Sequence, residues 1–205
     1  MADELYRILI DPGHSSLLGR SGAGPEINEG RYNWDLCSLF LAKIRYSGEP
    51  FDCRTSRALA EDVVSLSDRG TESRLGACQT VFSIHVNRSV PEDAGAMLFY
   101  WPGDELGKSI AESISGAIPP PLKRRTPLFA ATDNLGDQDD WLERPRNVLA
   151  PHIPHSHPIL LECGNMLNYG DKRALENQAI QSALILALQC GLARLRVEAE
   201  LLNPE

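Results

Sequence analysis

Ile8-Leu9-Ile10-Asp11-Pro12-Gly13-His14 is a short apolar run that ends on a residue able to bind a metal. The same arrangement returns in Val81-Phe82-Ser83-Ile84-His85 and in Pro158-Ile159-Leu160-Leu161-Glu162. Runs of this length and composition read as buried strands. Helical periodicities separate them, and that alternation predicts an α/β single-domain sandwich: a mostly parallel, twisted central sheet with helices on both faces. In open α/β sheets, sites form beyond the carboxyl ends of the strands. Three strands that bring two imidazoles and a carboxylate to one such edge point to a metal centre, zinc by its ligand types, and to hydrolysis.

Working outward from these runs, residues 6–11 read as the first strand and residues 12–30, rich in Gly and Ser, as a loop. Trp34, Leu36, Leu39, Phe40 and Ile44 approximate helical spacing over 31–46. Residues 50–55 form a weak strand. Ser67 is placed to cap a helix reaching about Cys78. Residues 80–85 and 95–101 read as strands. Asp104 caps a helix through Ile114, with Leu106, Ile110 and Ile114 on one face. Pro119-Pro120-Pro121 stops that helix, and 119–127 is the nearest approach to a linker. The acidic stretch Asp133 to Glu143 reads as an exposed loop, Asn147 to Ala150 as a short strand, and Lys172 to about Arg196 as one long helix.

At 205 residues, 42% hydrophobic and 23% charged, the chain suits one domain over 1–205, with a core of about 7–196 and a short C-terminal tail. Its net charge of -8 lacks the basic stripe that nucleic-acid binding needs. Met1-Ala2-Asp3-Glu4-Leu5 shows no basic segment leading into an apolar one, so no secretory signal is expected. Nor does any apolar stretch approach the roughly 18 residues of a membrane span. Synthesis in the cytoplasm, without a membrane partner, is the expectation. Five cysteines without CxxC spacing read as reduced, mostly buried thiols and not as a zinc ribbon.

A catalytic zinc site takes three protein ligands and leaves one position open. His14 and His85 are the first two. Glu29 and Glu26 both follow His14. Glu29, at the mouth of the next helix, has the better-defined direction and is preferred; Glu26 stays as the alternative. Glu162 is then free to act on the attacking water as general base and afterwards as proton donor. His152, His155 and His157 resemble a metal tract but read as loop histidines. Cys163 lacks an oriented base for a thiol nucleophile. The 133–143 stretch lacks the EF-hand pattern. Arg57 and Arg69 read as partners of nearby carboxylates.

Seven pieces in order carry a resemblance: Ile10-Asp11-Pro12-Gly13-His14, Asn28-Glu29-Gly30-Arg31-Tyr32-Asn33, Arg54-Thr55-Ser56-Arg57, Leu66-Ser67-Asp68-Arg69, Ser83-Ile84-His85-Val86-Asn87, Gly95-Ala96-Met97-Leu98-Phe99-Tyr100, and Leu160-Leu161-Glu162-Cys163-Gly164 with Asn168 and Asp171. Across about residues 7 to 193 the chain resembles the zinc-dependent N-acetylmuramoyl-L-alanine amidases of the type-3 family. The resemblance implies cleavage of the amide between N-acetylmuramic acid and L-alanine in peptidoglycan. It also implies zinc on His14, Glu29 and His85, and Glu162 as the catalytic acid/base; in the hydrolysis so expected, zinc and a donor such as Asn87 would stabilise the oxyanion. Ser15-Ser16 stand where the family has a glycine pair, and 133–157 matches poorly; both departures bear on the substrate groove and not on the metal centre. The expected setting is a monomeric phage endolysin acting on the cell wall, with a bacterial autolysin or a spore mother-cell enzyme as the alternative. The rivals are a zinc peptidase cutting within the stem peptide and a non-catalytic wall-binding module on the same fold.

Overall fold

Branched and aromatic side chains, with proline held back to the last position, make the first run a strand: Ile8, Leu9 and Ile10 are buried on both faces of β1 (Tyr6–Pro12). Two-sided burial is the mark of a central strand in a parallel sheet. The computed structural model describes residues 5–17, 27–132 and 144–202. After β1 come α1 (Glu29–Ser47), β2 (Phe51–Thr55), α2 (Leu66–Leu75), β3 (Thr80–Asn87), β4 (Met97–Tyr100), α3 (Glu105–Ala117), β5 (Leu128–Ala130), α4 (Pro145–Leu149), β6 (His157–Asn165), α5 (Tyr169–Leu175) and α6 (Gln178–Leu202). Among the described residues one six-stranded sheet forms, in the order β2-β1-β3-β6-β4-β5. Its pairs are parallel except β4 with β6. The expected mostly parallel sandwich is therefore the fold.

Alternation along each strand sorts the core into two layers. Ile8, Ile10, Phe82, Ile84, Ile159 and Leu161 face α1, α3 and α6 in the main core. Leu160 and Phe99 face the other way, onto Val148 and Leu149 of α4; Leu9 and Val81 do so beside Cys78. Helix α6 is long and apolar enough over Gln178–Glu198 to cross a membrane by length and composition, contrary to the expectation that no such stretch exists. Leu184, Leu188, Leu192 and Leu195 of that helix are buried in the main core, the arrangement of a core helix.

Four local expectations are corrected. Ser65, not Ser67, caps α2, because its hydroxyl accepts from the Asp68 N–H. Asn147 to Ala150 is helical, opened by Pro145 in the first turn, a position that suits proline's set φ. The long C-terminal helix is two helices, since Asn177 accepts the Ala179 N–H through its side chain and so starts α6 afresh. β5 was not anticipated; it is three residues long and lies at the sheet edge, where little periodicity can be written. The acidic 133–143 stretch lies outside the described residues.

Candidate metal centre

Parallel register delivers the site. His85 of β3 pairs with Glu162 of β6, so the two side chains leave the same face of neighbouring strands, about 4.8 Å apart. His14 lies two residues beyond the end of β1, between β2 and β3 in the sheet. Its φ is +54°, a left-handed conformation that costs a non-glycine residue on the order of 1–3 kcal/mol. Glu29 is the first residue of α1. Asn28 caps that helix by accepting the Arg31 N–H and ties it back to the strand-end loop by donating to the Ser16 carbonyl, 2.8 Å.

His14, Glu29 and His85 converge. His14 Nε2 lies 3.5 Å from Glu29 Oε2, and His85 Nδ1 lies 3.4 Å from Glu29 Oε1. One ligand atom from each falls within 4.8 Å of the others, and this is the metal-competent group found among the described residues. Glu29 Oε1 also accepts the Val86 N–H (2.9 Å) and the Asn33 side-chain amide (3.3 Å). Such outer contacts are what orient a ligand. Burial pushes the Glu29 carboxyl up from its ordinary range, and His14 works against that; a cation among the three groups would favour the ionised form. Glu26 lies outside the described residues.

Shape agrees with donor chemistry. A Cβ on Gly13 would overlap the His85 ring, and a Cβ on Gly30 would overlap the Ser15 carbonyl. Both glycines stand where backbone and ligands need close approach. The residues fit a zinc ion: two imidazoles and one carboxylate, partly or fully buried, the donor types of a three-ligand zinc site. Gly13→Ala should therefore displace His85 and weaken metal binding while the apo-protein still folds. Equilibrium dialysis against zinc is the check, and unchanged uptake would contradict this placement.

Beneath the three ligands sits a buried charged hub. Asp11, fully buried, pairs with Arg69 of α2 at 3.1 Å. It also accepts from Ser56 (2.5 Å) and Ser83 (2.8 Å). Burial acts to raise its pKa, but the Arg69 guanidinium, His152 and the two hydroxyls overcome it and hold the carboxyl well below the usual range. The hub joins β1, β3, α2 and the segment after β2 directly under the site. Arg69 thus has the carboxylate partner expected of it. Among the described residues Arg57 meets no carboxylate: its guanidinium bonds main-chain carbonyls.

The remaining candidates are not members of the convergent group. His152 is buried with Nδ1 3.0 Å from Ser73 Oγ, and burial lowers its pKa. His157 Nδ1 is 2.8 Å from Asp104, at the start of β6 and so at the far end of the sheet. His155 is exposed. Burial, then Glu162 and Glu29, push the Cys163 thiol well above its usual value, the reverse of an activated nucleophile. The Asn87 amide donates to Ser89 Oγ at 3.3 Å. Sequence reading missed Asn33, whose position four residues after Glu29 puts both on one helix face and was the available signal.

The sequence matches the family model described as N-acetylmuramoyl-L-alanine amidase over residues 8–194. No curated protein matches. Among solved structures, the N-acetylmuramoyl-L-alanine amidase AmiC2 of Nostoc punctiforme is similar at 21% identity and TM-score 0.73, over 93% of this chain and 97% of that one. An N-acetylmuramoyl-L-alanine amidase from Clostridium difficile 630 is similar at 18% identity and TM-score 0.71, over 99% and 100%. The catalytic domain of the CD27L endolysin, which targets Clostridia difficile, is similar at 16% identity and TM-score 0.63, over 90% and 97%. At these identities the three likenesses speak for the fold.

Proposed function

We propose that this chain, which belongs to the N-acetylmuramoyl-L-alanine amidase family and is an enzyme of that activity on peptidoglycan, works through a zinc ion held by His14, Glu29 and His85, with Glu162 as acid/base. The observation that carries the reading is the convergence of those three ligand atoms within 4.8 Å, one strand away from Glu162. Zinc, when bound, supplies Lewis acidity that polarises a carbonyl oxygen and makes water acidic near neutral pH. Glu162 takes the proton of the attacking water and returns it to the L-alanine nitrogen as the amide C–N bond breaks. Asn87, at the end of β3, is the side-chain donor proposed to face the developing oxyanion.

The whole chain is proposed to be one catalytic domain acting as a monomer on the cell wall, without a nucleic-acid or membrane partner. A phage endolysin is the proposed setting. Two measurements test the chemistry. Purified protein should carry one zinc per chain, and His85→Ala should lose metal and wall hydrolysis together. Full hydrolysis by a metal-free His85→Ala would sink the ligand set. Labelling of new N-termini after wall digestion should return alanine; a different stem-peptide residue would mean a peptidase.

A further inference from the structure

Arg57 is buried, 3% exposed, yet its hydrogen bonds go to neutral main-chain oxygens. Nη1 donates to the Ala60 carbonyl at 2.8 Å, and Nη2 to the Gly30 carbonyl at 3.0 Å and the Gly13 carbonyl at 3.3 Å. Its guanidinium carbon lies 5.5 Å from the centre of the Trp34 ring, which closes one face. Burial, then the Arg69 charge, bring its pKa down to about 10, which leaves it protonated at neutral pH. Burying a cation without a carboxylate in contact is costly, so its placement calls for a reason.

Two of the three carbonyls it holds flank the metal ligands. Gly13 precedes His14, and Gly30 follows Glu29. The Gly13 carbonyl also accepts from Asn33 Nδ2 at 3.2 Å, and the Gly13 N–H donates to Ile84 at 2.8 Å. The plane of the Gly13–His14 peptide sets the φ of His14, and that φ is the left-handed +54°. A non-glycine residue keeps such a conformation where its surroundings over-determine it. We infer that Arg57 is a positioning residue for the metal centre: its fork pins the Gly13–His14 peptide to the first turn of α1, so that His14 and Glu29 are presented to one ion. Freed of that clamp, the peptide can turn and His14 can relax to negative φ, carrying its imidazole away from Glu29. A lysine keeps the charge but offers no planar fork able to reach three carbonyls.

This inference rests on the ligand set proposed above. Its test uses the full chain stripped of metal, with zinc titrated against a fluorescent chelator and cobalt(II) then substituted to read ligand geometry from its visible absorption. Arg57→Lys should bind zinc about 10- to 100-fold more weakly, the usual effect of losing an outer-shell contact, and should alter the cobalt spectrum. Arg57→Gln, which keeps one amide donor, is the second variant. Arg31→Lys, at an exposed position paired with Asp35, should match wild type. Zinc affinity and cobalt spectra unchanged in a folded Arg57→Lys or Arg57→Gln would overturn the inference while leaving the ligand set standing. Failure of both apo-variants to fold would also overturn it, because Arg57 would then be a fold element. A wild-type chain that binds no zinc would overturn the ligand set and this inference together.

Discussion

Glu162→Gln should retain stoichiometric zinc and a native thermal midpoint while losing about 10²- to 10⁴-fold of its wall-hydrolysing rate, the usual contribution of a general acid/base. The variant keeps the volume of the side chain and removes only its ability to take up and return a proton. Glu162 extends from β6 in register with His85, which aims it at the ligand edge. It stands on the adjacent strand and is not one of the three convergent ligand residues, so metal content should be indifferent to the change. Release of alanine N-termini from purified walls, measured beside metal analysis of the same sample, separates the two roles. A variant within tenfold of wild type would remove Glu162 from the reaction. A variant that lost its zinc would make it a ligand.

Asp11→Asn should be the most destabilising single change near the site, by about 3–5 kcal/mol. The amide keeps the shape but leaves the Arg69 charge, at 5% side-chain exposure, buried without a counter-charge. For a chain of this size that is a fall in midpoint on the order of 10 °C. Asp35→Asn breaks the exposed pair with Arg31 and should cost less than about 1 kcal/mol. Urea unfolding of the two variants and wild type makes the comparison; equal midpoints for Asp11→Asn and wild type would refute the hub. The pH dependence follows from the depressed pKa of Asp11. Its contribution is fully present above the ordinary carboxylate value of 3.8 and is lost as pH falls below that toward the folded-state value. Asp11→Asn should lack this limb of the acid-unfolding curve.

How much could be read beforehand depended on periodicity. The buried strands around Leu9, Phe82 and Leu160 declare themselves because both faces are apolar. The first helix does so because Phe40 and Ile44 repeat at helical spacing. Short elements escaped: Leu128–Ala130 carries three residues, and Pro145–Leu149 barely more than one turn, too few for either period to show. Ser65 and Ser67 are equally good caps by composition. Which one serves depends on where the chain turns after β2, a tertiary matter. Asn177 likewise broke an apparently continuous helix through one side-chain bond to its own backbone, against the Ala and Leu periodicity around it.

At the candidate site, His14, His85 and Glu162 could be singled out as candidates because each follows an apolar run, and a buried strand that stops on a polar residue has reached an edge. The family and its reaction were legible for the same reason, through seven ordered pieces of sequence. Tertiary structure decided what lies between those pieces. Parallel pairing sets His85 beside Glu162; the Asn28 cap and the close approach of Gly30 to Ser15 turn Glu29 inward; Arg57 and Asn33 hold the left-handed turn of His14. Sequence specifies donor types and strand ends because local composition encodes them. Assembly of the site needs neighbours 15 to 77 positions apart in sequence, such as His14 with Glu29 and His85 with Glu162, and only the packed sheet creates these.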